Sequence, residues 1–306
     1  MTELLDIGGA RKRKGGKGGG AASSAVGTAR SAFFNGRTRS ADIAFVEVPP
    51  SEGKASAAPF PRLDFVGMNF HKTTMDPLLD QLIKASDSPK FRYLVTPNVD
   101  HLVTLEKSNP DSDLRRAFDD ADLRVCDSRI LSLLAKGSGL KLPAVPGSDV
   151  TKRLLDRLPA GTKVAVIGGN ANIHADLRRK YSGLEWSFLA PPMGVLHSPL
   201  QQKVIADFVA RSGADVCLFA IGSPQSEIVC RLISDLNQSR GVALCIGASL
   251  EFITGAKKRA PLWVQKAHCE WLFRLLCEPR RLAHRYLVKG PRIFSLWLNW
   301  RKTQVS

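Results

Sequence analysis

The chain of 306 residues contains no run of 18 or more apolar residues, so no membrane-spanning helix is expected. Its first forty residues lack the apolar stretch of a secretory signal, which sets the expectation of a cytosolic protein. The six cysteines, Cys126, Cys217, Cys230, Cys245, Cys269 and Cys277, include no C-x-x-C pair and no short His/Cys spacing. That pattern gives no zinc site and reads as buried thiols in a reducing compartment. The six histidines form no metal cluster either. A complete G-x-G-x-x-G fingerprint, a Walker loop and a G-x-S-x-G elbow are all missing, which removes the usual sequence signals for dinucleotides, nucleotide triphosphates and serine esterases. Acidic residues are scarce as well: 28 face 44 Lys and Arg, for a formal charge of +16.

That imbalance predicts an anionic partner, whether nucleic acid, acidic lipid or a phosphorylated substrate, and its sign alone does not choose among them. A 44% hydrophobic content is enough for a large core. Residues 1–60 do not contribute to one. They are rich in Gly, Ala and Ser, carry the basic run RKRKGGK at 11–17 and show neither a helical nor a strand period, so they read as a disordered basic arm. Its texture also has something of a transit peptide, against which stand Glu3 and Asp6.

From residue 63 the texture changes to β-rich runs alternating with helical patterns. The runs are LDFVGMNF (63–70), FRYLVTPN (91–98), DLRVCDS (122–128), KVAVIGG (163–169), EWSFLAPP (185–192), DVCLFAIGS (215–223) and VALCIGAS (242–249). Helices are predicted over 76–86, 109–119, 148–158, 171–180, 199–211 and 224–239. Runs such as VAVIG and VCLFAIG are apolar at successive positions, as strands covered on both faces must be. The expected fold of residues 61–256 is therefore α/β, a Rossmann-like doubly wound parallel sheet. In such sheets ligands bind beyond the carboxyl ends of the strands, where helix N-termini favour anions.

Residues 257–306 form a third segment. Twelve Lys or Arg there face only Glu270 and Glu278, and four of the five tryptophans are present: Trp263, Trp271, Trp297 and Trp300. Basic heads around Trp, Phe and Leu suit an amphipathic helix in a lipid headgroup layer. The same stripe also suits packing on the sheet domain or on a neighbouring subunit.

Among candidate chemical groups, Asp111-Ser112-Asp113 and Asp120-Ala121-Asp122 match the D-x-D pattern used to hold divalent cations, but helix capping and a solvated helix face account for both. Asp127 stands apart because it ends an apolar strand. A partly desolvated carboxylate there would have a raised pKa and could take a proton from an attacking hydroxyl, with capping of the next helix as the competing role.

Seven segments in order resemble the WecG/TagA/CpsF glycosyltransferases: TPNVDHL (96–102), SNPDSDLRRAFDDADLRVCDS (108–128), PGSDV (146–150), KVAVIGGN (163–170), AIGSPQSE (220–227), IGASLEFITGAKKRAP (246–261) and EWLFRLLCEPRRLAHRYL (270–287). The resemblance spans about residues 63–290. It implies inverting transfer of a hexosyl or N-acetylhexosaminyl group from a UDP-sugar to a saccharide on undecaprenyl diphosphate, in bacterial surface or exopolysaccharide synthesis. It implies no metal or other cofactor, attachment to the anionic inner face of the cell membrane, association between subunits and no nucleic-acid partner. By the same resemblance Asp127 is the catalytic base, and Thr96, Asn98, Gly168, Gly169, Gly222, Pro224, Gln225, Ser226, Glu227, Arg259, Arg274 and Arg281 line the substrate site, with Arg280 and Arg285 nearby. Guanidinium forks suit a metal-free site where two diphosphates meet.

Three positions depart from the family pattern. Ser226 stands where a glutamine is usual, Ser128 where a glycine follows the base, and Leu250-Glu251 where Phe-Asp is usual. These bear on donor or acceptor identity. Two rival readings are an NAD(P)-dependent oxidoreductase, which needs the missing glycine fingerprint, and a basic nucleic-acid-binding protein, which needs strongly salt-dependent binding.

Overall fold

A computed structural model describes residues 59–257, 260, 261, 264 and 270–305. The basic run at 11–17, with all but the last two residues of the expected arm, lies outside the described residues, as do Arg259 and Trp263.

The first β-rich run does not enter the main sheet. It folds as an antiparallel hairpin of β1 (Arg62–Phe65) and β2 (Met68–His71), in which Phe65 pairs with Met68. Val66 and Gly67 form the turn with φ of 53° and 70°, the left-handed pair that a two-residue hairpin loop requires. The β-rich run 63–70 reads as one strand, and the Val66-Gly67 turn inside it is what divides it into two.

The remaining strands are β3 (Arg92–Val95), β4 (Leu123–Arg124), β5 (Lys163–Ile167), β6 (Glu185–Leu189), β7 (Val216–Phe219) and β8 (Val242–Cys245). They form one all-parallel sheet in the order β4-β3-β8-β7-β5-β6. Side chains alternate between two cores. Tyr93, Val95, Ala165, Ile167, Cys217, Phe219, Ala243 and Cys245 point into one, and Leu94, Val164, Val166, Val216, Leu218, Val242 and Leu244 into the other. The first core is closed by α2 (Val99–Glu106), α3 (Asp113–Asp119), α4 (Arg129–Lys136), α7 (Pro199–Ser212) and α8 (Gln225–Leu236). The second is closed by α1 (Met75–Ser86), α5 (Gly147–Arg157), α6 (Ala171–Lys180) and α9 (Ser249–Ile253). This is the doubly wound α/β fold that the two-sided apolar runs demand. Crossovers stepping towards β4 (α2 and α3, α7, α8) cover one face, and α5 and α6 of those stepping towards β6 cover the other, as right-handed connections require, while α4, which precedes α5 in its crossover, stays on the first face.

Besides the five-residue α9, two helices of the sheet domain have no counterpart in the sequence reading: α2, which follows TPN directly, and α4, which follows Asp127-Ser128. Both are eight residues long, and each is started by a polar cap. Asn98 Oδ1 accepts from the backbone N–H of Asp100 at 3.0 Å, and Ser128 Oγ from that of Leu131 at 3.2 Å. Two turns are too short to display a convincing helical period.

The hairpin is fastened to the edge strand β4 by a buried guanidinium. Arg124 donates through Nε to the Asn69 carbonyl at 2.8 Å and through Nη1 to the Phe118 carbonyl at 2.9 Å, while its backbone N–H donates to Nδ1 of His71 at 3.0 Å. His71 is buried and must stay neutral to accept. Burial, then the charge of Arg124, lowers its pKa to about 4.

The C-terminal segment comprises α10 (Glu270–Cys277), α11 (Pro279–Ala283), a wider helical turn over His284–Lys289 and α12 (Arg292–Val305). The expectation of interfacial tryptophans needs correction for two of them. Trp297 and Trp300 lie half-buried against the first core beside the buried Ile293. Trp297 Nε1 donates to Ser138 Oγ at 2.8 Å, and Trp300 Nε1 to Asp64 Oδ1 at 3.3 Å with its ring edge-on to Phe65. Indole N–H groups need an acceptor when they leave water, and α12 finds both on the protein.

Candidate active site

An all-parallel sheet delivers all its strand ends to one rim. At the β3 and β4 end, the hydrogen-bond ladder runs on past the strands: Val125 N–H donates to Val95 O at 3.2 Å, and Asp127 N–H to Pro97 O at 3.0 Å. Backbone pairing thus carries Asp127 to the rim beside Thr96 and Asn98. Gly147, the first residue of α5, donates its N–H to Asp127 Oδ1 at 3.1 Å. A Cβ added at Gly147 would meet Thr96 Oγ1 at 3.0 Å, so glycine lets the α5 N-terminus close over Thr96 and reach the carboxylate.

Asp127 is half-buried, and burial pushes its pKa up to about 7. The Gly147 N–H and the Arg274 guanidinium oppose that rise, while Glu270 and Asp149 add to it. A carboxyl with such a pKa titrates where a general base is useful.

Arg274 reaches Asp127 electrostatically from the C-terminal segment. It is held by an ion pair to Glu270 at 2.9 Å and lies 4.9 Å over the ring of Phe252, which belongs to α9. Sequence reasoning missed Gly147, Glu270 and Phe252 as parts of this cluster. Two signals were available: Gly147 opens a helix after Pro146, and Glu270 stands four residues before Arg274.

Asn98 is committed in part to structure. Its Oδ1 caps α2, and its own N–H donates to Nδ1 of His101 at 3.2 Å, leaving the amide nitrogen as the group that can be offered outward. Arg281 pairs with Glu278 within a network that includes Lys257 and Glu251, and Arg285 pairs with Asp100 at 3.2 Å. Among the described candidate arginines, Arg274 is the one whose charge bears on Asp127.

The strand-end glycines lie farther along the rim. Gly168, with φ of 107°, follows β5, and a Cβ there would stand 2.9 Å from the Ala220 carbonyl, so it is required by close approach of the β7 loop. Its own carbonyl oxygen lies 2.8 Å from His174 Nε2, and Gly169 is exposed with φ of 75°. Gly222, with φ of 80°, starts the turn through Ser223-Pro224 into α8. Gln225 Nε2 donates to Ile221 O at 3.0 Å. Ser226 is buried, and its hydroxyl donates to Gly222 O at 3.0 Å, which points it into the fold beneath β7. Glu227 is 4% exposed. Burial raises its pKa to about 7, opposed by hydrogen bonds from its own N–H and the Ser223 hydroxyl.

Three of the four D-x-D carboxylates are engaged in ion pairs, and the fourth, Asp111, is exposed. Arg231 pairs with Asp113 at 3.2 Å and Asp120 at 2.9 Å, and Asp122 pairs with Arg92 at 3.0 Å. Of the cysteines, Cys126, Cys217, Cys230 and Cys245 are buried thiols and Cys277 is exposed. Burial raises the pKa of all four buried thiols, which keeps them protonated.

A rim that gathers a base-like carboxyl, helix N-termini and an arginine suits transfer of a group away from a leaving phosphate. Comparison with known protein families bears directly on this arrangement. The model of the glycosyl transferase WecG/TagA/CpsF family matches residues 63–306.

Proposed function

Because the chain belongs to the glycosyl transferase WecG/TagA/CpsF family, we propose that it moves a hexosyl or N-acetylhexosaminyl group from a UDP-sugar to a saccharide on a polyprenyl diphosphate, with inversion. Asp127 removes the proton from the acceptor hydroxyl as that oxygen attacks the anomeric carbon. The bond from that carbon to the diphosphate breaks, and Arg274 with the α5 N-terminus stabilises the charge developing on departing UDP. The observation carrying this reading is the half-buried Asp127 carboxyl, held by the Gly147 N–H with Arg274 bearing on it.

Membrane attachment of the C-terminal segment is supported by its outward apolar side chains. Leu276, Leu287, Val288, Phe294 and Leu298 are all at least half exposed among basic residues such as Arg280, Arg292 and Arg301. No helix of the described residues is long and apolar enough to cross a membrane.

The test is incubation of purified protein with several UDP-sugars and a short-chain prenyl-diphosphate saccharide, followed by mass identification of the product. A product one sugar heavier with release of UDP is expected. If no UDP-sugar binds or reacts, the donor assignment is wrong. Membership in a glycosyl transferase family favours this reading over the oxidoreductase one.

A further inference from the structure

The turn His284–Lys289 is arranged inside out. Its two cations face the protein and its two central apolar residues face outward: Leu287 is 57% and Val288 62% exposed. Lys289 Nζ lies 2.8 Å from Asp100 Oδ1 and donates to Thr104 Oγ1 at 2.7 Å, while Arg285 Nε lies 3.2 Å from Asp100 Oδ2. Asp100 and Thr104 both belong to α2, and Asp100 follows by two residues the Asn98 that caps it. The turn is closed by Gly290 N–H on Arg285 O at 2.8 Å, and residues 285 and 289, four apart, share one side of it as they would in any helix, with 287 opposite.

We propose that Asp100 is a positioning residue. By clamping Arg285 and Lys289 it locks this outward apolar turn to the helix that shapes the Thr96–Asn98 loop, so that a lipid surface met by Leu287 and Val288 is held in register with the active site. The proposal rests on the transferase reading above in one respect, namely that the acceptor arrives on a lipid.

The connection continues inward through His101. Its Nδ1 accepts the Asn98 N–H, which only the neutral ring can do, and its ring is hydrogen-bonded to the Thr96 backbone. Burial lowers its pKa to about 4, and Arg285 and Lys289 assist, with Asp100 opposing. Arg285 is therefore a strut here and Arg274 the arginine facing the base.

The clamp is tested by hydrogen exchange on the full-length protein, comparing Asp100→Asn and the double variant Arg285→Gln/Lys289→Gln with the unaltered chain. In both, amides of 284–290 should exchange roughly tenfold faster, together with those of 99–104. Unchanged exchange in both variants would overturn the clamp, and the double variant guards against a folding defect at Asp100. Positioning is read from transfer to a polyprenyl-diphosphate acceptor in anionic vesicles. The acceptor KM should rise roughly tenfold with kcat little changed, and Asp100→Glu should restore most of it. Faster exchange with an unaltered acceptor KM would sink the positioning role. Absence of any transfer by the unaltered protein would instead defeat the transferase assignment, and exchange would still decide the clamp.

Discussion

At the scale of single residues, the chemistry turns on one carboxyl whose environment works against its charge. Asp127 is raised to about 7, so between its ordinary value near 3.8 and that pH the folded protein binds more protons than the unfolded chain. Stability contributed by this group is therefore greatest at low pH and is lost as pH rises through the window. Activity has the opposite sign, because only the ionised form is a base. Transfer should rise along an acid limb with a midpoint near 7, and Asp127→Asn should lower kcat by roughly 10³-fold while matching or exceeding the parent Tm at pH 8. Asn retains the oxygen that accepts from Gly147, so the fold should persist. The two charges of the neighbouring ion pair give a signed test. Arg274→Ala removes an influence that lowers the Asp127 pKa, so the limb should move above 7 as turnover falls; Glu270→Gln should move it below. A pH–rate profile for each variant checks both directions, and movement in the same direction would detach this pair from the base.

At the scale of elements, two attachments decide stability. The hairpin depends on Arg124, which donates to carbonyls of Asn69, Phe118 and Ala121 from a site 5% exposed. Arg124→Met has the length to fill the space but leaves those acceptors buried, and unfolding in urea should show a loss of about 3 kcal/mol or more. His71 contributes a pH signature at the same junction. Its folded pKa lies near 4, below the usual 6.5, so the unfolded chain binds the extra proton and stability should fall as pH drops from about 6.5 towards 4. His101 acts in the same direction over the same window. The second attachment is α12. Trp297→Phe keeps most of the apolar contact and removes the donor to Ser138, at an expected cost of about 1 kcal/mol by the same measurement.

At the scale of the whole molecule, the C-terminal segment is both packing element and outward face, and these functions separate by residue. Ile293, Trp297 and Trp300 face the core, whereas Leu287 and Val288 face out. Truncation after Ala256 would therefore remove core contacts along with any lipid contact and confuse the two. Leu287→Ser/Val288→Ser is the cleaner variant: its Tm should stay within about 2 °C of the parent, while sedimentation with anionic liposomes should fall several-fold. Equal sedimentation would assign membrane binding to another surface. Because the chain carries +16, liposome binding should also weaken with added salt.

The sequence by itself determined the layered α/β plan, because strands buried on both faces must be apolar at successive positions, and runs such as VAVI in β5 and VCLF in β7 alternate with helical patterns along the chain. It also determined that Asp127 would stand at a strand end, since Leu123 to Cys126 precede it with only one polar side chain. Helices of two turns, α2 and α4, escaped it because eight residues hold too little period to distinguish them from loop. What only the tertiary structure decided were relations between distant segments: Gly147 closing on Asp127, Arg231 occupying one carboxylate of each D-x-D match, Asp100 gripping Arg285 and Lys289, and Trp297 turning inward. Each pairs residues at least twenty positions apart, and a linear pattern carries no information about which charge or N–H will meet which acceptor once the chain has closed. The basic, tryptophan-rich tail shows the division most plainly, since its composition announced an amphipathic surface while packing alone chose which of its side chains face the protein.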